Sequence, residues 1–146
     1  MKRIQKYVRD ERFFLTYGDG LADVDLASLI ETHERLQTTV TLTTTRPTSR
    51  FGVVSKDSQG KITAFLEKPI STEDINIGFM MAEPGLLAEL GENDALEQGP
   101  LRSLARGGQL GSYHHGGFWQ PMDTPREATA LNTLWDERSA PWKIWD

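Results

Sequence analysis

The chain has 146 residues, of which 38% are hydrophobic and 25% charged, the composition of an ordinary globular domain long enough to bury roughly 68–70% of its unfolded surface. Sixteen basic against 21 acidic residues leave a net charge of −5, the wrong balance for a dedicated nucleic-acid binder, whose affinity comes largely from neutralising phosphates. The absence of cysteine excludes disulfides, thiolate zinc sites and a cysteine nucleophile.

The opening MKRIQKYVRDER is interrupted by charge every few positions and does not read as an export signal. No stretch approaches the roughly 18 apolar residues of a membrane helix, so a cytoplasmic, soluble protein is expected. Ile4, Tyr7 and Val8 fall at helical spacing, and Phe13 to Tyr17 follows as a β-prone run that Gly18-Asp19-Gly20 stops. Leu26, Leu29, Ile30, His33 and Leu36 resume a helical period behind Asp23 or Asp25 as cap. Thr38 to Thr45 is β-branched and predicts a strand. This strand-loop-helix-strand order favours an α/β sheet with parallel neighbours.

Two strands, Phe51 to Ser55 and Lys61 to Glu67, are joined by Asp57-Ser58-Gln59-Gly60 as a hairpin, and Ile75 to Glu83 makes a further strand. Helices are expected over Pro84 to Leu90 and Pro100 to Arg106, the second stopped by Gly107-Gly108. Gln109 to His115 and Phe118-Trp119-Gln120 read as short strands. A last helix runs from Thr124 or Asp123 as cap, through Pro125, to Arg138. No repeat or long linker divides residues 1–146, so a single domain is expected. Trp119, Trp135, Trp142 and Trp145 all lie in the C-terminal quarter, which is therefore expected to carry a packing or assembly surface.

Three segments place chemistry at strand ends, where open α/β sheets bind ligands. Asp19 follows a strand and precedes a helix; it is either a crevice ligand or a plain Asp-Gly turn. Glu67-Lys68-Pro69 ends a strand, where a lysine acts as a point charge toward a phosphate and a glutamate accepts from a hydroxyl, unless the two form only a solvated pair. Asp123 is either a helix N-cap or a metal ligand facing Asp19. If both aspartates end in one crevice they form a hard oxygen site suited to Mg²⁺ with substrate phosphates. No G-x-S-x-G, H-E-x-x-H, Walker or G-x-G-x-x-G motif occurs. His114 and His115, adjacent on a strand, point to opposite faces, and His33 on its helix reads as packing.

The segments FFLTYGDGLADVDL, SRFGVV, FLEKP, INIGF and GFWQPMDTPRE, in this order, resemble the sugar-phosphate nucleotidyltransferases, and within them the cytidylyltransferases that act on glucose-1-phosphate. The resemblance runs essentially from Met1 to Trp145. It implies a partial Rossmann-like mixed α/β sheet of the nucleotide-diphospho-sugar transferase type. It implies the reaction of CTP with glucose-1-phosphate to CDP-glucose and pyrophosphate, with Mg²⁺, toward the dideoxy sugars of O-antigen lipopolysaccharide.

By the same resemblance Asp19 and Asp123 hold Mg²⁺ and Lys68 neutralises the sugar phosphate. Glu67 and Asn76 read sugar hydroxyls, and Gly18 and Gly78 border the substrate. Where the family reads Asn-Gly-Gly-Phe this chain has Asn76-Ile77-Gly78-Phe79, so Ile77 either crowds the sugar or turns into the core. The family's N-terminal strands and glycine-rich nucleotide-phosphate loop have no counterpart. The expectation is an incomplete domain whose Phe13 to Tyr17 strand has an unpaired edge, favouring homo-oligomers or association with a chain that supplies the missing half. The alternative is a non-catalytic assembly or regulatory module in which Asp19 and Asp123 are turn and cap.

Overall fold

The computed structural model describes residues 2–8 and 11–145, apart from the side chains of residues 3 and 4, so Ile4 of the expected N-terminal stripe lies outside it. In chain order the elements are a 3-10 helix Lys2–Tyr7, β1 Phe13–Thr16, β2 Gly20–Ala22, α1 Leu26–Leu36, β3 Val40–Thr45, β4 Val53–Lys56, β5 Ile62–Leu66, β6 Ile75–Ala82, α2 Gly85–Ala88, α3 Pro100–Arg106, β7 Leu110–His114, β8 Trp119–Pro121 and α4 Pro125–Asp136. No described helix is long and apolar enough to cross a membrane.

A four-stranded mixed sheet in the order β1-β6-β3-β7 forms the centre. β3 and β7 run parallel, whereas β6 is antiparallel to both β1 and β3. The crossover from β1 through α1 to β3 therefore does not join neighbours, because β6 is inserted between them. β1 lies at one edge of the sheet, as expected for the Phe13 strand.

Alternation along β3 covers both faces. Val40 belongs to a cluster with Met80, Ala82, Leu86, Leu87, Leu90, Leu101 and Leu104, so α2 and α3 close one side. Thr41 points to the other side, where its hydroxyl lies 2.8 Å from His33 Nδ1 of α1. The remaining ring nitrogen of His33 meets Glu83 Oε1 at 3.2 Å, so this histidine is a satisfied core residue, as its helical position suggests.

α1 starts at Asp25, whose carboxylate accepts from the Ala27 and Ser28 N–H groups at 3.0 and 3.1 Å. The Ser28 N–H, followed by the Ser28 hydroxyl, holds that carboxyl below its usual range. Asp25, not Asp23, is thus the cap. The expected helix over 84–90 shortens to four residues, and the N-terminal helix is 3-10 rather than α.

β4 and β5 form a two-stranded hairpin whose turn is built by Asp57 Oδ1 accepting from the Gln59 and Lys61 N–H groups, both at 2.9 Å. Every residue from 51 to 68 is exposed, so this arm stands off the core. Burial then decides stability. Leu86→Ala, in the closed cluster, is expected to lower unfolding free energy in urea by about 2–5 kcal/mol, while Phe65→Ala on the arm changes it by about 0.5 kcal/mol or less. Equal losses would contradict this division.

Candidate active site

β2 and β8 pair antiparallel outside the main sheet, with Gly20 opposite Pro121, Leu21 opposite Gln120 and Ala22 opposite Trp119. One step further the Met122 N–H donates to the Asp19 carbonyl at 2.7 Å. This register brings the loop carrying Gly18 and Asp19 beside the one carrying Asp123. Both aspartates are exposed. Behind the ladder, His115 Nε2 bonds the Phe118 carbonyl at 3.0 Å and lies 3.1 Å from Asp23 Oδ1, a buried oxygen with no hydrogen-bond partner among the described residues. His115 is buried and His114 exposed, as strand alternation requires.

The cap of α4 decides what Asp123 is free to do. Thr124 is the N-cap, in a reciprocal capping box with Glu127, the S/T-x-x-E arrangement that satisfies two helix-end donors at once. Glu127 Oε2 accepts from the Asp123 N–H at 3.1 Å, the Thr124 N–H at 3.0 Å and the Thr124 hydroxyl at 2.9 Å. The Thr124 hydroxyl holds the Glu127 carboxyl below its ordinary range against the opposing effect of burial, with help from the Thr124 N–H and Arg50. The cap reading of Asp123 is thereby corrected: its backbone is held, and its carboxylate is not used by the helix.

On the β1 side, Asn76 Nδ2 donates to the Tyr17 hydroxyl at 3.1 Å, its Oδ1 accepts from the Gly78 N–H at 3.0 Å, and the Tyr17 hydroxyl donates to Glu97 Oε1 at 2.5 Å. Ile77 is 2% exposed, so it turns into the core and does not crowd the crevice. Gly78 has φ of +88°, and a Cβ there would lie 2.4 Å from Tyr17 Cδ2. The Tyr17 ring fills the space that a side chain at position 78 would need, so only glycine fits there.

Glu67 and Lys68 stand exposed at the base of the arm, where the Ser49 N–H donates to the Pro69 carbonyl at 2.8 Å and the Ser71 N–H to the Pro47 carbonyl at 2.9 Å. Lys68 has φ of +46°. Among the described residues, neither side chain touches the aspartate pair. Arg50 of the same arm base reaches α4, with Nη2 2.9 Å from Glu127 Oε1. Sequence reasoning misses Tyr17, Glu97 and the Arg50–Glu127 pair; only the Thr124-x-x-Glu127 spacing announces part of this.

The nucleotidyl transferase family model matches residues 1–101. The chain belongs to that family. It is 43% identical over 150 residues to glucose-1-phosphate cytidylyltransferase of Salmonella typhi, and equally so to that of Salmonella typhimurium, covering 100% of this chain and 58% of each relative. The crystal structure of HddC from Yersinia pseudotuberculosis shares the fold, with a TM-score of 0.66 at 17% identity, over 92% of this chain and 60% of that one. The chain therefore spans somewhat over half the length of the curated relatives it matches.

Asp19 and Asp123 are the candidate oxygen donors for a cation such as Mg²⁺. Two hard carboxylates face solvent on adjoining loops, and among the described residues no third His, Cys, Asp or Glu joins them in a closed cage. Mg²⁺ suits such a site because it retains waters and shares its coordination with substrate phosphates.

Burial, then the hydrogen bond to Glu97, push the Tyr17 phenol from 10.0 up to about 12. The folded state therefore holds this proton more tightly than the unfolded chain does. The stability it contributes is complete below pH 10 and is lost as pH rises toward 12. Tyr17→Phe is expected to flatten the alkaline stability loss across that window, measured by urea unfolding at stepped pH; an unchanged slope would contradict the assignment.

Proposed function

We propose that this chain carries the metal-binding and sugar-phosphate-binding part of a nucleotidyl transfer site that joins CTP and glucose-1-phosphate into CDP-glucose with release of pyrophosphate. The observation that carries the reading is the β2–β8 register with its Met122 N–H to Asp19 carbonyl bond of 2.7 Å, which puts on adjoining loops two carboxylates that have no partner among the described residues. The likeness to the two Salmonella cytidylyltransferases supports the choice of base and sugar.

In this reaction an oxygen of the sugar phosphate attacks the α-phosphorus of the nucleotide in line, the new P–O bond forms, and the bond to pyrophosphate breaks with the electron pair leaving on pyrophosphate. Asp19 and Asp123 would hold Mg²⁺, which supplies neutralisation of phosphate charge. Lys68 adds a second positive charge on the sugar phosphate. Glu67 accepts from a sugar hydroxyl. Asn76 keeps one N–H of its amide for another, the first being used on Tyr17. Gly18 leaves the approach to Asp19 open, since a Cβ there would meet nothing within 4 Å. No covalent intermediate with the protein is required; positioning and charge neutralisation supply the catalysis.

A non-catalytic assembly module is the competing reading, supported by the exposed Trp135, Ile144 and Trp145. It explains the four tryptophans only in part, because Trp142 is buried against Phe118 with ring centroids 5.5 Å apart. It also leaves Asp123 without a role, since Thr124 takes the cap.

Calorimetric titration separates the two. Asp19→Asn and Asp123→Asn are each expected to weaken Mg²⁺ binding by about tenfold or more, and Lys68→Ala to weaken glucose-1-phosphate binding by about tenfold. Parent-like affinities in all three variants would overturn the site.

A further inference from the structure

The arm that carries Glu67 and Lys68 has little burial to fix its direction, since residues 51–68 are all exposed. Its base is a narrow two-chain ribbon, with an antiparallel bridge between Thr48 and Ile70 and the flanking Ser49–Pro69 and Pro47–Ser71 bonds. Arg50 belongs to this base. Two residues later, Gly52 lies under the Phe65 ring and beside Glu67: a Cβ there would come within 2.6 Å of Phe65 Cζ and 3.2 Å of Glu67 Oε2. The backbone two residues after Arg50 is thus packed against Phe65 of β5 and against Glu67, the residue before Lys68.

The other end of the Arg50 contact is equally specific. Glu127 divides its two oxygens: Oε1 faces Arg50 Nη2 at 2.9 Å, and Oε2 takes three donors from Asp123 and Thr124. An exposed ion pair contributes little by itself. Here the Glu127 side chain is only 15% exposed against 73% for Arg50, and three further bonds preset its carboxylate, so little freedom remains to be lost when the guanidinium docks. The pair joins the Lys68 side of the crevice to the Asp123 side.

We propose that Arg50 and Glu127 are positioning residues, whose ion pair straps the arm base to the Asp123 loop and so sets the spacing between the sugar-phosphate end and the metal end of the site. This inference rests on reading Asp19 and Asp123 as the metal-holding carboxylates. Neither Arg50 nor Glu127 touches the reacting atoms. Glu127 fixes the backbone from which the Asp123 carboxylate projects, and Arg50 fixes Glu127 while tethering the arm.

The test is Mn²⁺ affinity of the full chain, read by the electron paramagnetic resonance of free ion, with thermal unfolding in parallel. Glu127→Ala is expected to weaken Mn²⁺ binding by about tenfold, the usual effect of losing a group that orients a ligand. Arg50→Ala is expected to weaken it by about threefold, the scale of an accessible ion pair, without lowering the unfolding midpoint. Arg50→Lys restores affinity to within about twofold, because the charge is kept. The double variant Arg50→Ala with Glu127→Ala binds no more weakly than Glu127→Ala alone, since the two residues act as one unit. If Asp19→Asn weakens Mn²⁺ binding while Arg50→Ala leaves it at the parent value, the strap is wrong and the site stands. If Asp19→Asn has no effect, the metal reading fails and the strap's role at the site fails with it.

Discussion

Everything proposed for this chain depends on a ribbon of three residue pairs. β2 and β8 are three residues each, half-buried and outside the hydrophobic cluster, yet their register determines which residues meet across the crevice. Because strand side chains alternate faces, a slip of one residue would replace the Asp19–Met122 neighbourhood with a different pair and turn the flanking side chains over. Register is held from both sides: by the Met122 N–H on the Asp19 carbonyl at one end, and by the Asp23 N–H on the Phe118 carbonyl at the other. The buried His115, whose Nε2 bonds the same Phe118 carbonyl at 3.0 Å, braces that second end.

Division of labour between neighbouring polar residues is the second theme. At the start of α4 three such side chains stand within five positions and do different things. Thr124 caps the helix, Glu127 completes the capping box and faces Arg50, and the Asp123 carboxylate has no partner among the described residues. A similar economy operates at the end of β1. Tyr17, kept protonated by burial and by Glu97, organises Asn76 and occupies the space over Gly78, while Asp19 two residues later remains open to solvent. An aspartate that the helix needed, or that a neighbouring cation neutralised, would be a poor ligand for Mg²⁺; among the described residues neither competes.

The sequence discloses elements where local chemistry and long-range packing agree. β1, α1 and β3 are legible because a β-prone run, a capped amphipathic stretch and a threonine-rich run each match the burial they receive, and the β4–β5 turn because Asp57 and Gly60 suit no other role. Four things are not legible. β2, only three residues long, carries no periodic signal and merges with the turn around Asp19, and although Phe118-Trp119-Gln120 announces β8, nothing local announces that the two strands pair. The insertion of β6 between β1 and β3 is a matter of topology, which spacing cannot encode. The choice of Asp25 over Asp23, and of Thr124 over Asp123, turns on which oxygen reaches the N–H groups of the first helical turn, and the capping box is visible in advance only for Thr124. Arg50 and Glu127 are 77 positions apart, and nothing local announces that they meet. Asp19 and Asp123 stand out by their places at strand ends, and the family resemblance gives them a role; their adjacency required the structure.

The adjacency of the two aspartate loops is the central claim, and paramagnetic broadening tests it directly. Mn²⁺ titrated at substoichiometric levels into the isotope-labelled chain is expected to broaden the amide resonances of Gly18 to Gly20 and of Met122 to Thr124 together, at the same ion concentration, and to lose both effects on Asp19→Asn. Broadening of one loop alone, or spread evenly over the acidic surface, would contradict the account.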